Sequence, residues 1–238
     1  MAKLKMNTDD STSVSHAFLG QTFDLAQAPA SLNHGLVVWD ASVCFLRFLE
    51  ANPREAEALR GAAVLELGAG TGLLGIALAH RLGCRVVMTD LDSVVPNLEA
   101  NLRANPLPPG CAGACRVMAH AWAGAADAAV MAAAGEGGFA YIIGTDVAYS
   151  EALNPVLLGT AAAFARASEA ARAGGGGGGG GSHRTTTIFV NELRCEVAQG
   201  VFDAVAPTLF KVQRVPAKKL HRDFQEGQFL LTRLTLKR

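Results

Sequence analysis

Short, wholly apolar runs alternate along this chain with longer segments whose apolar residues recur at helical spacing. Ala62–Leu67 is an apolar run between Gly61 and Gly68, the pattern of a parallel strand buried on both faces. Gly72 to Arg81 is apolar nearly all round, through Leu73, Leu74, Ile76, Ala77, Leu78 and Ala79, and predicts a buried helix. Arg85–Thr89 predicts a second strand ending at Asp90. Asp92-Ser93 then predicts the cap of a helix whose stripe runs through Val94, Val95, Leu98 and Leu102. Pro106, Pro108, Pro109 and Gly110 break the chain. Beyond them the pattern predicts a strand over Phe139–Gly144, a helix over Leu153–Ala171 and a β-branched strand over Thr186–Val190. A helix over Glu196–Ala206 follows, and the alternating Leu/Thr stretch Phe229–Leu236 reads as the strand that closes the sheet. Strands alternating with helices predict a doubly wound α/β domain with a mostly parallel sheet.

Two segments stand outside this alternation. Residues 1–16 are rich in Ser, Thr and Asp and read as a disordered tail, leaving 17–238 as a single domain. Within that domain Gly174–Gly181 is glycine at every position, so a flexible surface loop is expected at 173–183. No Lys-Ser/Thr follows it to open a helix, so it does not read as a phosphate-binding loop.

Composition narrows the function classes. Half of the 238 residues are hydrophobic and 18% are charged, enough apolar surface for one sizeable core. Lys+Arg and Asp+Glu are equal at 21 each, a balance that argues against affinity built on neutralising phosphates. The cysteines (Cys44, Cys84, Cys111, Cys115, Cys195) are scattered, with neither Cys-x-x-Cys spacing nor a histidine at a ligand-like interval, so no metal site is expected. Neither a signal-like apolar run at the N-terminus nor a stretch of the ~20 apolar residues that a spanning helix needs is present. The expectation is a soluble protein of the cytoplasm, with the nucleus as the second compartment, and a monomer.

The segment Val64-Leu-Glu-Leu-Gly68-Ala69-Gly70-Thr-Gly72-Leu-Leu-Gly75 runs from a strand through glycines into a helix. Gly68 and Gly70 permit the tight turn and a close ligand approach, and Gly72 lets the helix pack close. Asp90 falls about twenty residues on, at the next strand end, where a carboxylate can accept both ribose hydroxyls. Gly70-Thr-Gly72-Leu-Leu-Gly75 also satisfies the dinucleotide pattern G-x-G-x-x-G. Against that stands Glu66, whose carboxylate would repel a pyrophosphate by about 4 kcal/mol at ~4 Å and an effective dielectric of ~20. The same charge suits a cationic, phosphate-free nucleoside such as S-adenosylmethionine.

Flanking residues make the pattern specific. Trp39-Asp-Ala-Ser42 precedes the loop; Asp90, Asn97, Asn101, Trp122, Ile143-Gly-Thr145-Asp146-Val-Ala-Tyr149, Asn191-Glu-Leu-Arg194 and Lys219-Leu-His221-Arg-Asp-Phe-Gln225 follow it. In this order they resemble the methyltransferase-like, seven-strand protein-lysine methyltransferases, in particular the group acting on valosin-containing protein and heat-shock chaperones. That family usually has Phe-Asp where this chain has Phe139-Ala140, and Trp-Gly where it has Trp122-Ala123; the polyglycine run is foreign to it. The resemblance implies a Rossmann-like, seven-stranded class I methyltransferase fold with an antiparallel C-terminal strand. It implies S-adenosylmethionine as cofactor, held by Trp39, Gly68, Ala69, Gly70, Asp90, Trp122 and Thr145, and a protein lysine as acceptor. Asp146 and Tyr149 are then the catalytic candidates, Asp146 orienting the amine and Tyr149, one helical turn on, walling its channel. A helix N-cap is the plain structural role for Asp146. The rival functions are methylation of a protein histidine, a small molecule or RNA, a non-catalytic donor-binding module, and a dinucleotide oxidoreductase.

Overall fold

The computed structural model describes residues 11–109, 111, 114–174, 184–226 and 228–238. A hairpin, β1 (Ser13–Phe18) and β2 (Gln21–Ala26), leads into α1 (Asp40–Ala51) and α2 (Pro53–Leu59). The alternating part then runs β3 (Ala63–Leu67), α3 (Leu73–Leu82), β4 (Arg85–Asp90), α4 (Val95–Ala104), β5 (Cys115–Ala119), α5 (Ala128–Ala133) and β6 (Tyr141–Thr145). It ends with α6 (Asn154–Gly174), β7 (Thr186–Glu192), α7 (Glu196–Leu209), β8 (Phe210–Arg214) and β9 (Phe229–Leu236). The sheet order is β5-β4-β3-β6-β7-β9-β8, parallel except for β9, which is antiparallel to both its neighbours. This is the doubly wound sheet that the alternation predicts, with the antiparallel strand that the family resemblance implies.

β3 is buried at every position because helices cover both faces of the sheet. Val64 packs into the core under α1 and α3, and Leu65 and Leu67 into the one under α6. Each such side chain contributes about 1.5–3 kcal/mol. The glycines at the end of β3 are required: Gly68, Gly70 and Gly72 have φ of 70°, 56° and 89°, a region other residues enter at a cost. A Cβ on Gly72 would also stand 2.4 Å from Leu98 Cδ1, so this glycine lets α4 close on the loop.

Several boundaries differ from expectation. Residues 13–16, read as tail, pair with 23–26 in the hairpin, whose turn Leu19-Gly20 has positive φ at both positions. The Leu19 N–H donates to Glu50 Oε1 (2.8 Å), which fixes that turn on α1. Residues 1–10 lie outside the described residues, as does most of the expected loop, because α6 runs on to Gly174. No side chain caps α4: Val94 is the N-cap with Pro96 just inside, and Ser93 Oγ instead accepts from Asn33 Nδ2 (3.0 Å). β9 does not close the sheet; it lies inside it, and β8 forms the edge.

The hairpin's outer edge is covered by a side-chain ladder. Asn101 on α4 accepts from the Ala26 N–H (2.8 Å) and donates to Ala26 O (3.0 Å). Asn105, one turn on, does the same with Asp24 (3.1 and 2.8 Å). Four helical residues rise ~6 Å and two strand residues ~6.6 Å, so the spacings match. Asn101 Nδ2 also donates to Thr71 O (2.9 Å) and ties hairpin, α4 and glycine loop together. Asn101→Ala should cost about 1–3 kcal/mol, because the buried Thr71 carbonyl and the half-buried Ala26 N–H lose their partner; a urea titration with an unshifted midpoint would remove this tie.

Candidate active site

The C-terminal ends of β3, β4 and β6 face one cleft, where open α/β sheets place ligands. The Gly68 and Ala69 N–H groups both donate to Thr89 O (2.9 and 3.0 Å), which folds the glycine turn onto the end of β4. Gly70 N–H then donates to Asp90 Oδ2 (2.7 Å), and Leu91 N–H to Oδ1 (2.8 Å). Each oxygen keeps a lone pair for a further donor, as a ribose-binding carboxylate must. Burial raises the Asp90 carboxyl, and these two N–H groups pull it back. Gly70 passes beneath the Gly35 carbonyl, where a Cβ would meet the oxygen at 3.2 Å. A Cβ on Gly68 would meet Val147 Cγ1 at 2.7 Å and the Trp122 ring at 3.4 Å. Beside Asp90 opens a cavity of about 740 Å³, lined by Leu91, His120, Ala121 and Asp127 among others.

Gly68, Ala69, Gly70, Asp90 and Trp122 are therefore gathered at one place. Thr145 is the half-buried last residue of β6, paired with Val190. Trp39 is the residue before α1, its Nε1–H donating to His34 O (2.8 Å). Asp146 caps no helix. It follows β6 in the left-handed region (φ 57°), its N–H bonded to Val190 O (2.8 Å). Its Oδ1 accepts from the Glu192 N–H (2.8 Å) and its Oδ2 from Arg194 (3.0 Å), leaving the side chain 3% exposed. Burial raises this carboxyl, and the Arg194 charge opposes the rise. Tyr149 lies in the loop before α6, not on a helix, and is about half exposed. Burial raises its phenol, as does the negative charge of Asp90 across the cleft. Asn191 accepts from the Ala148 N–H (3.1 Å) and holds this loop.

Glu66 corrects the charge argument. It is 1% exposed, and a Cβ on Gly75 would stand 2.5 Å from Glu66 Oε2, so the side chain lies beneath α3 instead of facing the cleft. Burial pushes its carboxyl up to about 8, so near neutrality it is largely uncharged and repels no phosphate. Three residues around Asp146 carried no assigned role: Asp40, Glu192 and Arg194. The Arg194 guanidinium lies 4.6 Å from the Trp39 ring centroid and ion-pairs with both Asp146 and Glu192. Burial, then Glu192 and Asp146, raises the Asp40 carboxyl to about 7. The signal was present, since Asp40 follows Trp39 in one motif and Glu192 and Arg194 sit in another, but their meeting is a tertiary event.

The glycine turn and its carboxylate are shared by many nucleotide-binding enzymes, so sequence relatives decide among them. A family model described as lysine methyltransferase matches residues 20–170. The chain belongs to the lysine methyltransferase family. The protein N-lysine methyltransferase METTL21A of Danio rerio is 35% identical over 160 residues, 67% of this chain and 66% of that protein. The EEF1A lysine methyltransferase 3 of Mus musculus is 35% identical over 160 residues, 66% of this chain and 63% of that protein. The chain thus spans slightly under two thirds of these relatives' lengths. Among solved structures, the methyltransferase domain of a bacterial Hen1 protein aligns with a TM-score of 0.51 at 13% identity, over 81% of this chain and all of that domain. A methyltransferase crystallised with S-adenosylhomocysteine aligns at 0.51 and 12% identity, over 96% of this chain and 57% of the other. These likenesses bear out the class I methyltransferase fold. Membership of the family favours a methyl donor over a dinucleotide whatever the charge on Glu66.

Burial of Glu66 has a measurable consequence. Between the ordinary carboxyl value of 4.5 and about 8, the folded chain keeps a proton that the unfolded chain has released. Its contribution to stability therefore falls as pH rises through that window and levels off above it. Glu66→Gln, which imitates the protonated form, should gain on the parent by on the order of 4 kcal/mol between pH 5 and pH 8. Thermal melts in which the gap between the two chains stays constant over that range would show that Glu66 ionises normally.

Proposed function

We propose that this chain is an S-adenosylmethionine-dependent protein-lysine N-methyltransferase. The observation that carries the proposal is the positive-φ glycine turn closed on Asp90, beside an open cavity, in a chain of this family. The residues fit the donor: a backbone without Cβ at Gly68 and Gly70, a carboxylate with spare lone pairs, and a tryptophan face for an aromatic or cationic group. Gly68, Ala69 and Gly70 would line the methionine and ribose portion and Asp90 hold the ribose, with Trp122 and Thr145 enclosing the rest; the Trp39 ring, expected to join them, carries Arg194 instead and belongs with Asp146.

The donor supplies an electrophilic methyl group on a sulfonium, so little covalent help is needed from the protein. What the chain must present is a neutral amine, held in line at near-attack distance. A lysine of pKa ~10.4 is neutral about one part in a thousand near pH 7.4, a handicap of ~4 kcal/mol. A free carboxylate beside the amine would deepen that handicap by stabilising the ammonium. In this structure Asp146 is paired with Arg194 at 3.0 Å. Asp146 is assigned to orienting the acceptor amine and not to removing its proton. Tyr149, exposed opposite Asp90, forms the wall of the acceptor channel. The balanced charge of the chain favours a protein acceptor over RNA. No described helix is long and apolar enough to cross a membrane. A monomer working in the cytoplasm or nucleus completes the proposal.

Incubation with labelled donor and a cell extract, followed by mass spectrometry of the labelled band, tests it. A methylated lysine is expected; label confined to RNA or metabolites would overturn the acceptor. Asp90→Ala should collapse S-adenosylhomocysteine binding by calorimetry. Asp146→Ala should abolish turnover while donor affinity stays within a few-fold; undiminished turnover would remove Asp146 from the site.

A further inference from the structure

Asp146, proposed above to meet the acceptor amine, is covered in this structure. Its side chain is 3% exposed, and both oxygens are engaged, one by the Glu192 N–H and the other by Arg194. The covering group is itself a cation. The Arg194 guanidinium has the carboxylates of Asp146 and Glu192 as ion-pair partners and lies 4.6 Å from the centre of the Trp39 ring. Asp40, next to Trp39, adds a third carboxyl whose buried Oδ1 has no hydrogen-bond partner among the described residues. An aromatic face opposed to carboxylates is the arrangement that holds alkylammonium ions. Arg194 comes from the stretch between β7 and α7 and is itself about a third exposed, so it can leave without unpacking a core. The box adjoins the donor loop, because Val147, next to Asp146, packs on Gly68.

We infer that Arg194 occupies the place of the acceptor's cation, and that the substrate lysine enters by exchanging with it. The inference rests on the lysine methyltransferase reading and adds to it a residue that governs access to the acceptor site. While Arg194 is seated, the box between Trp39, Asp146 and Glu192 is filled and the carboxylates are neutralised. When a lysine ammonium arrives with its protein, Arg194 swings to solvent and the carboxylates keep a cationic partner throughout. The exchange exacts no unpaired buried charge at either end, which is why a self-supplied cation suits this position. Its cost is a reduced apparent affinity, lowered by the fraction of chains in which Arg194 is already out. A docked protein surface supplies further binding energy, so isolated amines bind weakly and folded partners are favoured.

The probe for the exchange is n-butylammonium, the lysine side chain without its backbone. By calorimetry, Arg194→Ala should bind it at least tenfold more tightly than the parent chain, and Arg194→Ala combined with Asp146→Asn should lose that gain. Equal or weaker binding by Arg194→Ala would overturn the exchange and leave Arg194 as a structural tie. If the alanine variant does not fold, the parent chain answers by itself. Saturating n-butylammonium should shift the Arg194 guanidinium N–H signal in NMR, and an unmoved signal overturns the inference equally. S-adenosylhomocysteine binding is measured in the same samples. Its absence from the parent chain would defeat the donor reading, while cation binding would still decide the exchange.

Discussion

The site depends on how the end of β3 is fastened to the end of β4. Two consecutive N–H groups, from Gly68 and Ala69, converge on one carbonyl, that of Thr89, and the third, from Gly70, reaches the Asp90 carboxylate. The turn is possible only in a backbone that accepts positive φ at alternate positions, which glycine supplies. The same bonds satisfy donors that would otherwise be buried and unpaired, and they fix the Asp90 side chain at the cleft. A displaced Asp90 would leave the Gly70 and Leu91 N–H groups without their acceptor, and an opened turn would expose the N-terminal end of α3. Fold and binding geometry are here a single set of hydrogen bonds.

Everything outside the turn supports it from one side or another. α4 presses Leu98 against Gly72, and Asn101 on the same helix holds Thr71 O and the hairpin edge. The hairpin does not extend the main sheet, but Phe18, Phe23 and Leu25 pack into its core and a ladder of asparagine amides ties it to α4. From the opposite side, Val147 packs on Gly68 and carries Asp146 behind it. The acceptor side is built differently. Its charged groups come from α1, the β6 end and the segment after β7, and a single guanidinium links them. The proposed donor site is thus preformed by backbone, whereas the proposed acceptor site is arranged by side-chain charges.

The two buried acids illustrate how environment divides one residue type into different roles. Glu66, sealed under α3, is raised to about 8 and behaves as a neutral packing element. Asp90, at the strand end, is also raised by burial, but two N–H groups offset that rise. Two acids a strand apart are distinguished by the hydrogen bonds each receives, not by their type.

The chain by itself determined the alternation and the place of the glycine loop; the order of the strands came from the structure. Alternation and loop are written in local patterns: an apolar run of strand length, glycines where φ must be positive, an acid at the next strand end. It also determined the family, through Trp39-Asp-Ala-Ser42 and Asp146-Val-Ala-Tyr149. The hairpin, α1, β5 and the edge strand β8 were not read from the sequence, because what places them is distant along the chain; Asp24 meets Asn105, and Lys211 meets Thr235. The burial of Glu66 was misjudged for a related reason. Position along a strand gives the face but not what covers it, and only Gly75 in the following helix leaves room for that carboxyl. The cluster around Arg194 was decided wholly by tertiary structure. Trp39, Asp146 and Arg194 are far apart along the chain, and the Coulomb attraction joining them acts only once the sheet has brought their loops within contact distance.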